Sequence, residues 1–178
     1  MSLALKLVPR PEAALPEPAP GLKRAMRQLV GAVCVVTAGR EGARTGATVT
    51  SAHSLSVDPE TMLVSINRSS STWPVIAATG AFCVNLLAAD QQDVADRFAG
   101  RGGLKGEQRY EGADWRALAT GSGALVGALA SIDCEVDHVV ERYSHALIFG
   151  AVRAVVLGET RPALLYAQGR YGAFDLNA

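Results

Sequence analysis

Apolar and polar residues along this chain fall mostly into short runs rather than long helical stripes. Across residues 131–141, Ile132, Cys134, Val136, His138 and Val140 alternate with Ser131, Asp133, Glu135, Asp137 and Glu141. Period two predicts a half-buried strand with one acidic, wet face and His138 on the inward side. Residues 145–157 make a second long strand, close enough to pair with the first as a hairpin through 141–144. Residues 30–38 are almost wholly apolar and β-rich, which predicts a buried strand. Residues 46–56 form a hydroxyl-rich strand or strand pair, ended by a turn at Asp58-Pro59. Further strands are expected at 62–67 and 82–87.

Helical spacing appears in three places. Residues 21–29 carry Leu22, Met26 and Leu29 on one face. Ser71 or Thr72 can cap a helix with Pro74 in its first turn and Gly80 as its stop. Residues 90–98 turn Val94, Ala95 and Phe98 inward, with Asp90 near the positive end. Residues 100–123 are glycine-rich and polar, with Trp115 as the main apolar anchor. A loop of that length inside a domain is usually functional. Many strands and few short helices predict a mainly β fold, an antiparallel barrel or sandwich.

At 178 residues the chain reads as one domain, 21–178, behind an arm over residues 1–20. Five prolines in residues 9–20 bar that arm from helix or central strand and suit a tail, free or lying across a partner subunit. With 17 basic and 17 acidic residues and no long basic run, nucleic acid and anionic membrane are poor partners. No apolar stretch of about 18 residues marks a transmembrane helix. The N-terminus lacks the order of a signal peptide, so a cytoplasmic location is expected. Cys34, Cys83 and Cys134 each sit in an apolar run, as buried free thiols would.

Candidate chemistry concentrates between Gly46 and Leu87. Thr48, Val49, Thr50, Ser51 and Ser54 offer hydroxyls and backbone groups along one strand. They suit a polar ring, or are simply threonines and serines on a solvated face. Asn67, Arg68, Ser69, Ser70, Ser71 and Thr72 follow the next strand and precede a helix start. Arginine's planar fork and first-turn amides suit a phosphate, and a capped turn with a solvated arginine is the plainer alternative. His145 begins a strand after a turn, where side chains reach a site mouth, whereas His53 reads as structural. The spacing of Cys134, His138 and His145 matches no tight zinc pattern, so no metal site is expected. The glycine-rich segment 100–106 matches no nucleotide-binding fingerprint. Arg101, Lys105 and Arg109 are nonetheless within its reach to meet phosphates.

Five segments in order resemble the flavin reductase-like family, over roughly residues 24–174. They are Thr48-Val49-Thr50-Ser51 with Ser54-Leu55-Ser56-Val57-Asp58-Pro59; Asn67-Arg68-Ser69-Ser70-Ser71-Thr72; Phe82-Cys83-Val84-Asn85-Leu86-Leu87 with Gln91 and Phe98; Ser144-His145 through Phe149-Gly150-Ala151-Val152; and Leu164-Leu165-Tyr166 with Tyr171. The residues before His145 are Arg142-Tyr143-Ser144, where the family more often has Gly-Thr. The resemblance implies an FMN-binding split β-barrel, a homodimer with flavin near the subunit interface, and hydride transfer from NADH or NADPH to FMN or FAD. Reduced flavin would then pass to a partner monooxygenase. A non-releasing flavin carrier or sensor on the same barrel is the alternative. The implied flavin contacts are the first two segments, with Phe98 and Tyr171, and His145 is implied to stand against the nicotinamide. Such chemistry needs no catalytic triad, because the cofactor carries it and the protein orients the rings.

Overall fold

The computed structural model describes residues 20–175. Of the arm expected over residues 1–20, all but Pro20 lies outside them. The described chain runs α1 (Leu22–Met26), β1 (Gly31–Ala32), β2 (Cys34–Ala38), β3 (Thr45–Val49), β4 (Ala52–Val57), β5 (Glu60–Asn67), α2 (Thr72–Thr79), β6 (Ala81–Leu86), α3 (Gln92–Phe98), β7 (Trp115–Ala117), β8 (Gly123–Leu125), β9 (Ala130–Arg142), β10 (His145–Leu157), β11 (Ala163–Ala167) and β12 (Arg170–Phe174). No helix among the described residues is long and apolar enough to cross a membrane.

Seven strands form one antiparallel sheet in the order β3-β2-β6-β9-β10-β5-β4. Its edge strands, β3 and β4, are consecutive in the chain and joined only by Thr50 and Ser51. A sheet whose first and last strands are chain neighbours must roll up. The closure is visible at Ser51, whose carbonyl accepts from the Ser65 amide at 3.2 Å and whose hydroxyl donates to the Ser65 carbonyl at 2.9 Å. The result is a barrel split between β3 and β5, and α2 packs against both strands across that split. This is the mainly β split barrel expected.

The apolar run at 30–38 serves two cores, which explains why it does not alternate. Cys34, Val36 and Ala38 point into the barrel with Val64, Ile66, Phe82 and Ile148. Val33 and Val35 point outward under α3, against Val94, Ala95 and Phe98. The run also breaks at Val33, where the chain passes from the β1-β11-β12 sheet into the barrel.

Two expectations fail for identifiable reasons. In β9 the strict alternation does not hold. Phe149 faces His138, but the next residue, Gly150, faces Val136, so Asp137 is a bulge. The bulge turns the strand over. His138 and Val140 move to the outer, exposed face, while Ser131 and Asp133 are buried. Asp133 is satisfied there by the Thr120 hydroxyl at 2.6 Å and the Thr120 amide at 2.7 Å. Residues 100–123 are not a structureless loop either. They fold into short helical turns and the β7-β8 hairpin, pinned by the ring cluster Phe98, Tyr110 and Trp115 with centroids 4.8–5.4 Å apart. Glu107 adds a clasp, accepting from the Gly42 amide at 2.9 Å, the Arg44 amide at 3.2 Å and Arg44 Nε at 2.8 Å.

Candidate active site

The edge strand β3 and its continuation carry the site. The start of β3 is covered: the Thr45 carbonyl accepts from the Tyr110 hydroxyl at 2.7 Å and the Gly46 carbonyl from Arg109 Nη1 at 2.5 Å. Gly46 is required by a close approach, because a β-carbon there would meet the Phe98 ring and the Val36 carbonyl at 2.7 Å. The far end of β3 is open. Thr48, Val49 and Thr50 form one wall of a cleft of about 250 Å³, and Val33, Ala99, Arg101, Tyr166 and Tyr171 form the rest.

Tyr166 and Tyr171 meet edge to face with centroids 5.3 Å apart, and the Arg101 guanidinium lies 5.8 Å from the Tyr171 ring centre. Arg101 Nη1 is 3.1 Å from Asp96 Oδ1. Burial first, and then the neighbouring Asp96, push the Tyr171 phenol up, so it stays neutral and able to donate near neutral pH. Asp96, Tyr166 and Arg101 were not singled out together by sequence. They come from α3, β11 and a glycine turn, and only the fold joins them.

The polar loop that follows β5 runs beside β3. It is tied at one end through Ser51 and Ser65, and at the other by Ser71 Oγ, 3.3 Å from Thr45 Oγ1. Asn67 Oδ1 accepts from the Ser69 amide and the Ser69 hydroxyl, both at 2.9 Å, which shapes the turn. Ser70 Oγ accepts from the Trp73 amide at 3.4 Å and stands in for the cap expected from Ser71 or Thr72. Gly80, at φ 64°, ends α2 as expected. Register places His145 directly across from Asn67, and the Arg68 amide donates to the Ser144 carbonyl at 2.8 Å. His145 is exposed, with Nδ1 2.9 Å from Ser144 Oγ.

The sequence-derived residues thus divide. Thr48, Val49 and Thr50 line the cleft with Tyr171. Asn67, Arg68, Ser69, Ser70 and His145 gather at the adjoining strand ends. Ser51 and Ser71 serve as ties. Ser54 lies exposed along β4. Thr48 Oγ1 is committed, donating to the Ala95 carbonyl at 2.6 Å. Phe98 is 2% exposed and lies beneath the site, not on its surface. Thr72 is fully buried, and its hydroxyl has no hydrogen-bond partner. The three cysteines are free and buried; burial pushes Cys34 up to about 11 and Cys134 up to about 12, so both stay protonated thiols.

The donor set fits a flavin. One open strand end supplies backbone groups and hydroxyls for a polar ring, tyrosines supply an aromatic wall, and a serine-rich turn at a helix start suits a phosphate. The family model for the flavin reductase like domain matches residues 26–175. An FMN reductase (NADH) RutF 2 of Methylorubrum extorquens is 39% identical over 84% of this chain and 86% of its own length. A homologue of nitrilotriacetate monooxygenase component B from Mycobacterium thermoresistibile superposes with a TM-score of 0.78, at 32% identity over 87% of this chain and 86% of that one. BorF, the flavin reductase component of a bacterial two-component tryptophan halogenase, gives 0.79 at 28% identity over 86% and 96%. With the split barrel, the ordered segments and a family match over most of its length, the chain belongs to the flavin reductase like family of oxidoreductases.

Proposed function

We propose that this protein is an NADH:flavin oxidoreductase that takes FMN or FAD as a diffusing partner and releases it reduced to an oxygenase component. The observation that carries this reading is the open end of β3, where the Thr48–Thr50 wall meets Tyr166 and Tyr171, and which Ser51 links to Ser65 on the strand leading into the Arg68 loop. A flavin held there would supply the redox chemistry, as the acceptor of hydride from NADH. The protein's part is orientation. Backbone and hydroxyl groups at Thr50 read the ring's polar edge, while Ser51 ties the strand end in place. Arg68 holds the phosphate with the Ser70 hydroxyl, which accepts from the Trp73 amide and keeps its own proton to donate; Ser69 and Ser71 shape and tie the turn. His145, across from Asn67, bonds or leans on the nicotinamide without moving a proton. Such positioning is the main catalytic lever in a reaction needing no protein nucleophile.

Release is supported by the relatives named as component B of a monooxygenase and as the reductase component of a halogenase. In the lone chain the cleft, about 250 Å³, is small beside the about 300–1,000 Å³ of an ordinary ligand pocket. A second copy of the chain completes the site in this reading. The outer sheet face, with Leu55, Val140 and Leu147 more than a third exposed, is the surface it covers.

The test is flavin retention combined with turnover. The purified protein is expected to lose its yellow colour on desalting, yet to oxidise NADH once FMN or FAD is added back. Colour that survives desalting, with no dependence on added flavin, is the behaviour of a non-releasing carrier and refutes the proposal.

A further inference from the structure

Arg68 is not idle. Its Nη2 lies 2.5 Å from Glu141 Oε2, and its Nη1 donates to the Tyr143 carbonyl at 3.2 Å. Both partners belong to the β9-β10 hairpin end, the stretch where this chain carries Arg142-Tyr143-Ser144. That turn is itself braced: Tyr143 is left-handed at φ 51°, Arg142 Nη2 donates to its hydroxyl at 2.9 Å, and the Arg142 guanidinium lies 4.3 Å from its ring centre. Glu141 is therefore held beside Arg68 by a shaped turn. Both side chains are close to half exposed, at 43% and 46%.

We propose that Glu141 is an affinity-setting residue, competing with the flavin phosphate for Arg68. The inference rests on the reading of Arg68 as the phosphate seat. Carboxylate and phosphate are both anionic acceptors for the same guanidinium fork. An exposed ion pair is weak, so the phosphate wins. It wins only after displacing the carboxylate, which then stays nearby as a like charge. Flavin is held less tightly than Arg68 alone would allow, and it leaves faster. That suits a reductase that must give its product away.

The experiment titrates FMN and riboflavin onto four proteins: the parent, Glu141→Gln, Arg68→Ala and the double variant. Flavin fluorescence reads the affinity, and stopped-flow dilution reads the release rate. Both positions are at the surface, and glutamine keeps the size of glutamate. Glu141→Gln is expected to tighten FMN binding about two- to fivefold, the span of an exposed ion pair. Release should slow by a similar factor, and riboflavin should be unaffected. In the Arg68→Ala background the same change should do nothing. If Glu141→Gln leaves FMN affinity unchanged or weakens it, while Arg68→Ala weakens FMN but not riboflavin, competition is refuted and the phosphate seat stands. If Arg68→Ala affects FMN and riboflavin alike, the phosphate seat itself is wrong, and the inference falls with it.

Discussion

Asn85 offers the sharpest test of what holds the barrel in shape. It is fully buried on β6 and belongs to no catalytic arrangement. Its Nδ2 donates to the Val35 carbonyl at 3.1 Å, the Gly123 carbonyl at 3.3 Å and Thr37 Oγ1 at 3.4 Å. Its Oδ1 accepts from the Leu125 amide and the Ser131 hydroxyl, both at 2.8 Å. One side chain thus ties β2, β8 and β9 to β6. Asn85→Leu keeps roughly the volume and removes every one of those bonds. The Leu125 amide and the Ser131 hydroxyl are then left buried without acceptors, each costing about 1–3 kcal/mol. The Gly123 carbonyl keeps Thr37 Oγ1 at 2.6 Å, so it adds little. Leucine's apolar burial returns about 1.5–3 kcal/mol. Taking the middle of each range, about 4 kcal/mol is lost and about 2 returned, so the net loss is about 2 kcal/mol, a sizeable share of a marginal total of about 5–15. At about 2–4 °C per kcal/mol for a chain of this size, the melting temperature should fall about 4–8 °C. Urea unfolding should show a lower midpoint with the slope unchanged. A loss below about 1 kcal/mol would show that the network contributes specificity, not stability, and that the accounting of unsatisfied groups is wrong.

Two further outcomes follow from the same geometry. Burial pushes the Glu107 carboxyl up, but the Arg44 guanidinium and the amides of Arg44 and Gly42 outweigh it and hold the group below the usual carboxylate range. A depressed folded pKa contributes stability above the unfolded value of about 4.3 and loses it as pH falls through the folded one. Glu107→Gln should therefore lower the urea midpoint at neutral pH and converge with the parent in acid; a difference independent of pH would contradict this. His145→Ala should slow flavin reduction or raise the KM for NADH by about tenfold to a hundredfold while leaving flavin affinity alone, since lost orientation costs rate steeply. Stopped-flow reduction at varied NADH separates the two, and parent-like kinetics would make His145 a structural residue at a strand start.

Much of the scaffold was legible in the sequence because it follows local rules. The helix from Thr72 to its Gly80 stop, the inward face of Val94, Ala95 and Phe98, and the hairpin around residues 141–144 are all where periodicity and capping put them. The bulge at Asp137 was not legible, because nothing in an alternating string says where one residue drops out of register. Residues 100–123 were misread for a related reason. Their order comes from Phe98, Tyr110 and Trp115 packing together and from Glu107 reaching back to Gly42 and Arg44. Those contacts are long-range, and polar glycine-rich composition conceals them. At the site, the hydroxyl strand and the serine loop were visible as residue types. Arg101 was visible only as a possible phosphate contact, and Asp96 and Glu141 were not visible as partners, since closure and strand pairing alone bring them there. Phe98 illustrates the converse: a residue of the right type beside the site that the fold uses for packing.

The most direct test of the central claim is anaerobic mixing of NADH with the protein carrying stoichiometric FMN, followed by the flavin's visible absorbance. Rapid bleaching that saturates with NADH is expected, with recovery of the reduced flavin in the filtrate when the protein is removed. Flavin that binds but is not bleached by NADH beyond the rate of the protein-free mixture would contradict the claim.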